Sequence, residues 1–143
     1  MTDSLKFESR PGKLSCKPYE FFSFITDIRN FKQFIPEGSL NNWKASPESC
    51  SFQVSPLGTV NVRITDQAPF SFVSYYGDVF KKNDFNLVVH IIENEIKMTE
   101  VRLIVTAELN PVLRMMATGP VNTFLEKLIS EMEKFEKWNV KSS

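Results

Sequence analysis

Few side chains in this sequence are of types that could do chemistry. His90 is the single histidine, and an imidazole is the readiest general base near neutral pH. It stands in "FNLVVHII", opposite in parity to Phe85, Leu87, Val89 and Ile91. In a strand that parity puts it on the outer, solvent-facing side, and only a bulge would turn it inward. Tyr75 and Tyr76 are neighbours in a strand, so one points in and one out. The inward tyrosine is either the polar anchor of a bound molecule or a core residue bonded to a backbone carbonyl. Cys16 and Cys50 show no metal-ligand spacing and no nearby histidine, and read as reduced thiols. Asp27 suits helix capping more than pairing with Arg29. Arg63 and Arg102 fall on outward parity, whereas Arg114 falls near the start of the last helix, facing solvent or an acidic head group. Paired carboxylates, Ser/His/Asp sets, Gly-rich phosphate loops and zinc-ligand clusters are missing. No catalytic residue, metal ligand or cofactor is assigned.

The bulk composition narrows the partners. Hydrophobic residues make up 42% of 143, enough for one domain over residues 1–143 with a real core. There are 13 Phe against 3 Tyr and 2 Trp, so the core gains buried area with few hydrogen-bonding handles. The 17 basic and 17 acidic residues are interleaved, and without a basic stripe nucleic acid is not expected as a partner. "MTDSLKFESR" has no apolar signal region, and no apolar run approaches membrane-spanning length. A cytoplasmic protein is the expectation.

The elements that must position any site follow from periodicity. "LKFESRPGKL" reads as a first strand bent at Pro11-Gly12. In "KPYEFFSFITDIRNFKQFIP" the period becomes helical, with Pro18 in a first turn, Asp27 capping a second short helix and Pro36 ending it. Residues 41 to 109 alternate. Phe52 and Val54 share a face, as do Val60, Val62 and Ile64, and as do Val101, Leu103, Val105, Ala107 and Leu109. Turns are expected at Pro56-Leu57-Gly58, at Gln67–Pro69 and at Lys81–Asp84. Alternation with one polar face and short connections predicts an antiparallel meander covered on one side. Asn110-Pro111 opens a last helix of about 28 residues, whose apolar stripe runs Leu113, Ala117, Val121, Phe124, Leu128, Met132, Phe135.

The order is one strand, two short helices, six strands and a long helix. With the local patterns "CKPYEFFSFITDIRNFKQFIP" and "SPLGTVNVRITDQAPFSFVSYYG" and a Gly-Pro interruption in the last helix, the chain resembles small bacterial members of the START-like, or Bet v 1-like, helix-grip superfamily (SRPBCC, polyketide cyclase/dehydrase-like). That resemblance implies an α+β helix-grip fold. A curved seven-stranded antiparallel sheet would wrap a long C-terminal helix, with two short helices after the first strand. It also implies a hydrophobic cavity between sheet and helix, of the kind that holds a lipid, polyketide or other apolar molecule. The superfamily contains enzymes, carriers and interaction domains, so fold alone does not choose.

The candidate ligand-binding positions are Phe52, Val62, Ile64, Tyr75, Tyr76, Leu87, Val101, Leu103, Leu113, Met116 and Phe124. Nearly all are apolar, which favours binding by burial over proton transfer. Of the adjacent pair Met115 and Met116, only one can face the cavity, and Met116 follows Leu113 by three residues. Gly119-Pro120 divides the helix into a short segment, 111 to 118, and an anchored one. A hinge that makes the short segment a lid and a static bend that follows the curved sheet are both open. The leading expectation is binding of an apolar or amphipathic small molecule. A cyclase/dehydratase-type enzyme using the same cavity is a rival. So is an interaction domain with a filled core, meeting a partner or a second copy through outward Val88, Ile92 and Ile104.

Overall fold

The computed structural model describes residues 4–35, 38, 40–54, 58–79 and 83–138. The first strand bends as the Pro11-Gly12 pair requires. β1 (Ser4–Glu8) and β2 (Gly12–Leu14) are its two halves, and both pair antiparallel with the last strand. α1 (Pro18–Ile25) starts with proline in its first turn, and the Glu20 carboxylate accepts from the Lys17 N–H at 2.8 Å. Asp27 then caps a 3-10 helix (Ile28–Phe34) by accepting from the Arg29 N–H at 3.1 Å. The Arg29 guanidinium holds the same carboxylate at 2.6 Å and keeps its pKa below the ordinary value.

Six strands follow: β3 (Asn41–Ala45), β4 (Ser49–Val54), β5 (Gly58–Ala68), β6 (Phe72–Val79), β7 (Asn83–Glu93) and β8 (Thr99–Glu108). They form one antiparallel sheet in the order β1-β8-β7-β6-β5-β4-β3, with β2 also on β8. Register shifts in β3 between Asn41 and Lys44, and in β5 between Ile64 and Asp66, help to curve it. The fold is therefore α+β, a curved antiparallel sheet with a C-terminal helix, α2 (Pro111–Lys134). Among the described residues, no helix is long and apolar enough to cross a membrane. The expected stop at Pro36, the Pro56-Leu57 corner and the Lys81-Lys82 part of a turn lie outside the described residues.

α2 ends four residues sooner than the sequence suggests, at Lys134. The Phe135 carbonyl accepts from the Ser15 hydroxyl at 3.1 Å and from Trp138 Nε1 at 2.9 Å, so the chain leaves helical geometry there. Phe135 and Trp138 pack with Phe21, Phe24 and Phe34, ring centroids 4.7 to 5.6 Å apart, closing one end of the core.

The two halves of α2 are held differently. Leu125, Leu128, Ile129 and Met132 are buried in the main core. Gly12 lets this half approach, because a Cβ there would meet the Ile129 side chain at 3.0 Å and that of Val101 at 3.1 Å. Arg10 fastens the same half from outside. Its Nε donates to Glu126 at 2.9 Å, and its terminal nitrogens donate to both Glu133 oxygens at 2.8 and 3.1 Å. Among the described side chains, the N-terminal half buries only Ala117, in a small separate cluster with Ala107 and Leu109.

Candidate functional site

Between those two clusters, the sheet and α2 do not meet. The gap is a cavity of about 550 Å³, within the size range of small-molecule sites. Inward-facing residues of successive strands form its concave wall: Phe52, Val60, Val62, Tyr75, Leu87 and Val105. Ala117, Val121, Phe124 and Leu128 of α2 form the opposite wall. Ile28, Phe31, Ile35 and Trp43 close a side. There Trp43 stacks on Phe52, and Phe31 meets Tyr75 edge-on at 5.4 Å. Phe85 enters the wall because Gly77 opposite it has no side chain. A Cβ at Gly77 would lie 2.3 Å from the Phe85 ring.

Polar groups are few. Among the described residues lining the cavity, only Trp43, with its indole N–H, and Cys50, Tyr75, Thr123 and Lys127 carry polar side-chain atoms. Burial pushes the Cys50 thiol up to about 12, which leaves it protonated and a poor nucleophile. The Tyr75 hydroxyl donates to the Ile25 carbonyl at 2.8 Å, and burial raises its pKa well above the ordinary value. Its proton is engaged in holding α1 to the sheet. Thr123 and Lys127 lie one turn apart on α2 and are exposed, so they stand where the cavity opens.

The structure brings Phe52, Val62, Tyr75, Leu87 and Phe124 together around this space. It places other candidate positions elsewhere. Val101 and Leu103 are fully buried in the main core. The anchored half of α2 covers the first half of β8, and the cavity faces its second half, from Val105 to Ala107. Ile64 sits at the β5 bulge and packs on the core without lining the cavity. Tyr76 is the outward tyrosine. The Arg63 guanidinium lies 5.1 Å from its ring, and Asp84 hydrogen-bonds its hydroxyl and raises its pKa. Met116 is 37% exposed and does not line the cavity, while the adjacent Ala117 is buried. The Leu113 side chain lies outside the described residues. Lys127 was missed because it reads as part of the solvated helix face, which is where its ammonium belongs; only its contact with the rim separates it from its neighbours.

The remaining chemistry-bearing groups lie away from the cavity. His90 pairs in register with Phe72 and Arg102 on the outer face. Cys16 is buried against Thr99 Oγ1 at 3.7 Å, its pKa pushed up to about 11 mainly by burial. Neither cysteine is in a disulfide, and the described residues hold no cluster able to bind a metal. An outer groove of about 650 Å³ crosses β3 to β6. It is larger but open, and its polar residues engage one another, as Asn61 does with Asp78 at 3.2 Å. The apolar cavity, less open than the groove, is the better binding site, because it offers surface that gains from leaving water.

No protein-family model matches the chain, and comparison with curated proteins gives no match. Solved structures do match in fold. The protein XoxI from Bacillus cereus superposes with a TM-score of 0.65 at 11% identity, covering 94% of each chain. A conserved protein from Geobacillus kaustophilus gives 0.63 at 12% identity, covering 92% of this chain and 91% of its own. A Mesorhizobium loti protein gives 0.61 at 12% identity, covering 94% and 99%. At these identities the likeness shows the fold alone.

Proposed function

We propose that this protein is a helix-grip domain of START-like type that binds an apolar or amphipathic small molecule between its curved sheet and α2. The observation that carries this reading is the cavity of about 550 Å³ with an almost wholly apolar lining. Such a space gains about 25 cal/mol for each Å² of apolar ligand surface removed from water. Binding is favoured over cyclase or dehydratase chemistry by the state of the lining. Proton transfer needs at least two suitably placed groups. Cys50 is held protonated, the Tyr75 proton is committed to Ile25, and Thr123 and Lys127 stand at the rim. The interaction-domain reading called for a filled core, and of its three outward apolar residues only Ile92 is well exposed.

Phe124 on the helix wall provides the reporter. Phe124→Trp is expected to change its emission when a fluorescent fatty-acid analogue binds, and an unlabelled apolar competitor should reverse the change. Native mass spectrometry of the wild type should show the matching adduct. Absence of binding by either method at micromolar concentration would falsify the carrier reading.

A further inference from the structure

Among the described residues lining the cavity Lys127 is the one that is charged, and its setting selects a ligand class. Lys127 stands at the rim with Thr123 one turn before it, both on the edge of α2 that borders the opening. A lysine on a helix ordinarily finds a carboxylate three or four residues away. Here Glu131, four residues on, turns to Lys134 at 3.8 Å. The adjacent Glu126 is taken by Arg10 at 2.9 Å. Lys127 makes no ion pair with any described residue. The helix thus presents one unpaired ammonium, with a hydroxyl beside it, at the mouth of an apolar space. A lysine stem lies readily along apolar surface while its charge stays in water.

We infer that the ligand is an amphipathic acid whose apolar body fills the cavity and whose anionic head group meets Lys127 and Thr123 at the rim. This rests on the carrier reading and narrows it. The ammonium supplies a charge-assisted donor to a carboxylate or phosphate oxygen, and the Thr123 hydroxyl supplies a second, neutral one. A neutral alcohol of the same length keeps the apolar burial and loses the charge term. Bound in the opposite sense, an acid would have to bury its charge among phenylalanines or take up a proton to avoid doing so, and the rim orientation avoids both costs.

Affinities of dodecanoate, dodecanol and dodecyl phosphate should be measured by competition with a fluorescent fatty-acid analogue, for wild type, Lys127→Gln, Lys127→Arg and Lys137→Gln. The readout is the ratio of acid to alcohol affinity, which cancels the shared burial of the chain. Lys127→Gln is expected to lower that ratio about fivefold, the worth of one partly exposed ion pair. Lys127→Arg should preserve it, and Lys137→Gln should leave it unchanged. Dodecyl phosphate binding tighter than dodecanoate in the wild type, with the excess lost in Lys127→Gln, would identify the head group as phosphate. If the ratio is the same in wild type and Lys127→Gln, or falls equally in Lys137→Gln, the head-group assignment is wrong while the cavity reading stands. If none of the three probes binds the wild type, the cavity reading itself fails. Melting curves of all variants establish that each is folded, as an exposed lysine allows.

Discussion

Tyr75 shows how one side chain can serve the wall of a cavity and the frame that holds it. Its ring lines the space, and its hydroxyl ends on the Ile25 carbonyl at the end of α1. Tyr75→Phe leaves that acceptor buried without its donor, so unfolding free energy should fall by about 1–3 kcal/mol, measurable by urea denaturation. Ligand affinity should hardly change, because the hydroxyl is already committed away from the cavity. A large affinity loss with intact stability would instead make Tyr75 a ligand anchor. Parity alone fixes that Tyr75 and Tyr76 point opposite ways. It does not say which points in, since the outward face of β6 carries the aromatic Phe72 beside Ser74 and Asp78, while the inward face carries Gly77 beside Val73 and Val79. The choice is made by cross-strand neighbours: Tyr75 pairs with Ile64 and Leu87, and Tyr76 pairs with Arg63 and Asn86.

At the scale of elements, alternation was a sound guide wherever one strand face is polar. Val60 and Val62 face inward as expected, as do Leu87, Val89, Leu103 and Val105, and the bend at Pro11-Gly12 is where two halves of one strand part. What alternation does not carry is where α2 crosses the sheet, and that crossing decides which inward residues are core and which are wall. The crossing is fixed by long-range contacts, Gly12 against Ile129 and Arg10 against Glu126 and Glu133. The early end of α2 was hidden in part for the same reason, since Ser15 shares the Phe135 carbonyl with the nearby Trp138. The Arg10 clamp has a consequence in acid. Hydrogen bonding to Arg10 is the main reason the Glu133 carboxyl titrates below its ordinary value. A lowered folded pKa adds stability that is complete above the ordinary carboxylate range and disappears as pH falls through the folded value. Arg10→Gln is therefore expected to cost about 1 kcal/mol or less at pH 7, because the group is partly exposed. The gap between variant and wild type should close below that range, as read from thermal melts across pH. A gap that persists unchanged in acid would mean that Arg10 acts through packing alone.

On the scale of the whole molecule, α2 is one continuous helix with two unequal grips. Beyond Gly119-Pro120 it buries Leu125, Leu128, Ile129 and Met132, each worth about 1.5–3 kcal/mol of burial. Before that point Ala117 is the buried contact among the described side chains, and Val112 and Met115 are exposed. Pro120 has no N–H to offer the Met116 carbonyl, and the Thr118 hydroxyl bonds back to the Arg114 carbonyl at 2.8 Å, a contact that tends to bend helices. The segment before the interruption, which among the described residues gives Ala117 to the cavity wall, is thus the weakly held one, and amide hydrogen exchange measures the difference. Residues 111–118 should exchange faster than 125–134 and should gain protection when an apolar ligand binds. Gly119 provides the control, because a Cβ there meets nothing within 4 Å. Gly119→Ala should stabilise the helix by up to about 1 kcal/mol, slow exchange in 111–118 and slow ligand entry without weakening final affinity. Equal exchange in both halves, unmoved by ligand or by Gly119→Ala, would make the interruption a static bend that only fits the helix to its sheet.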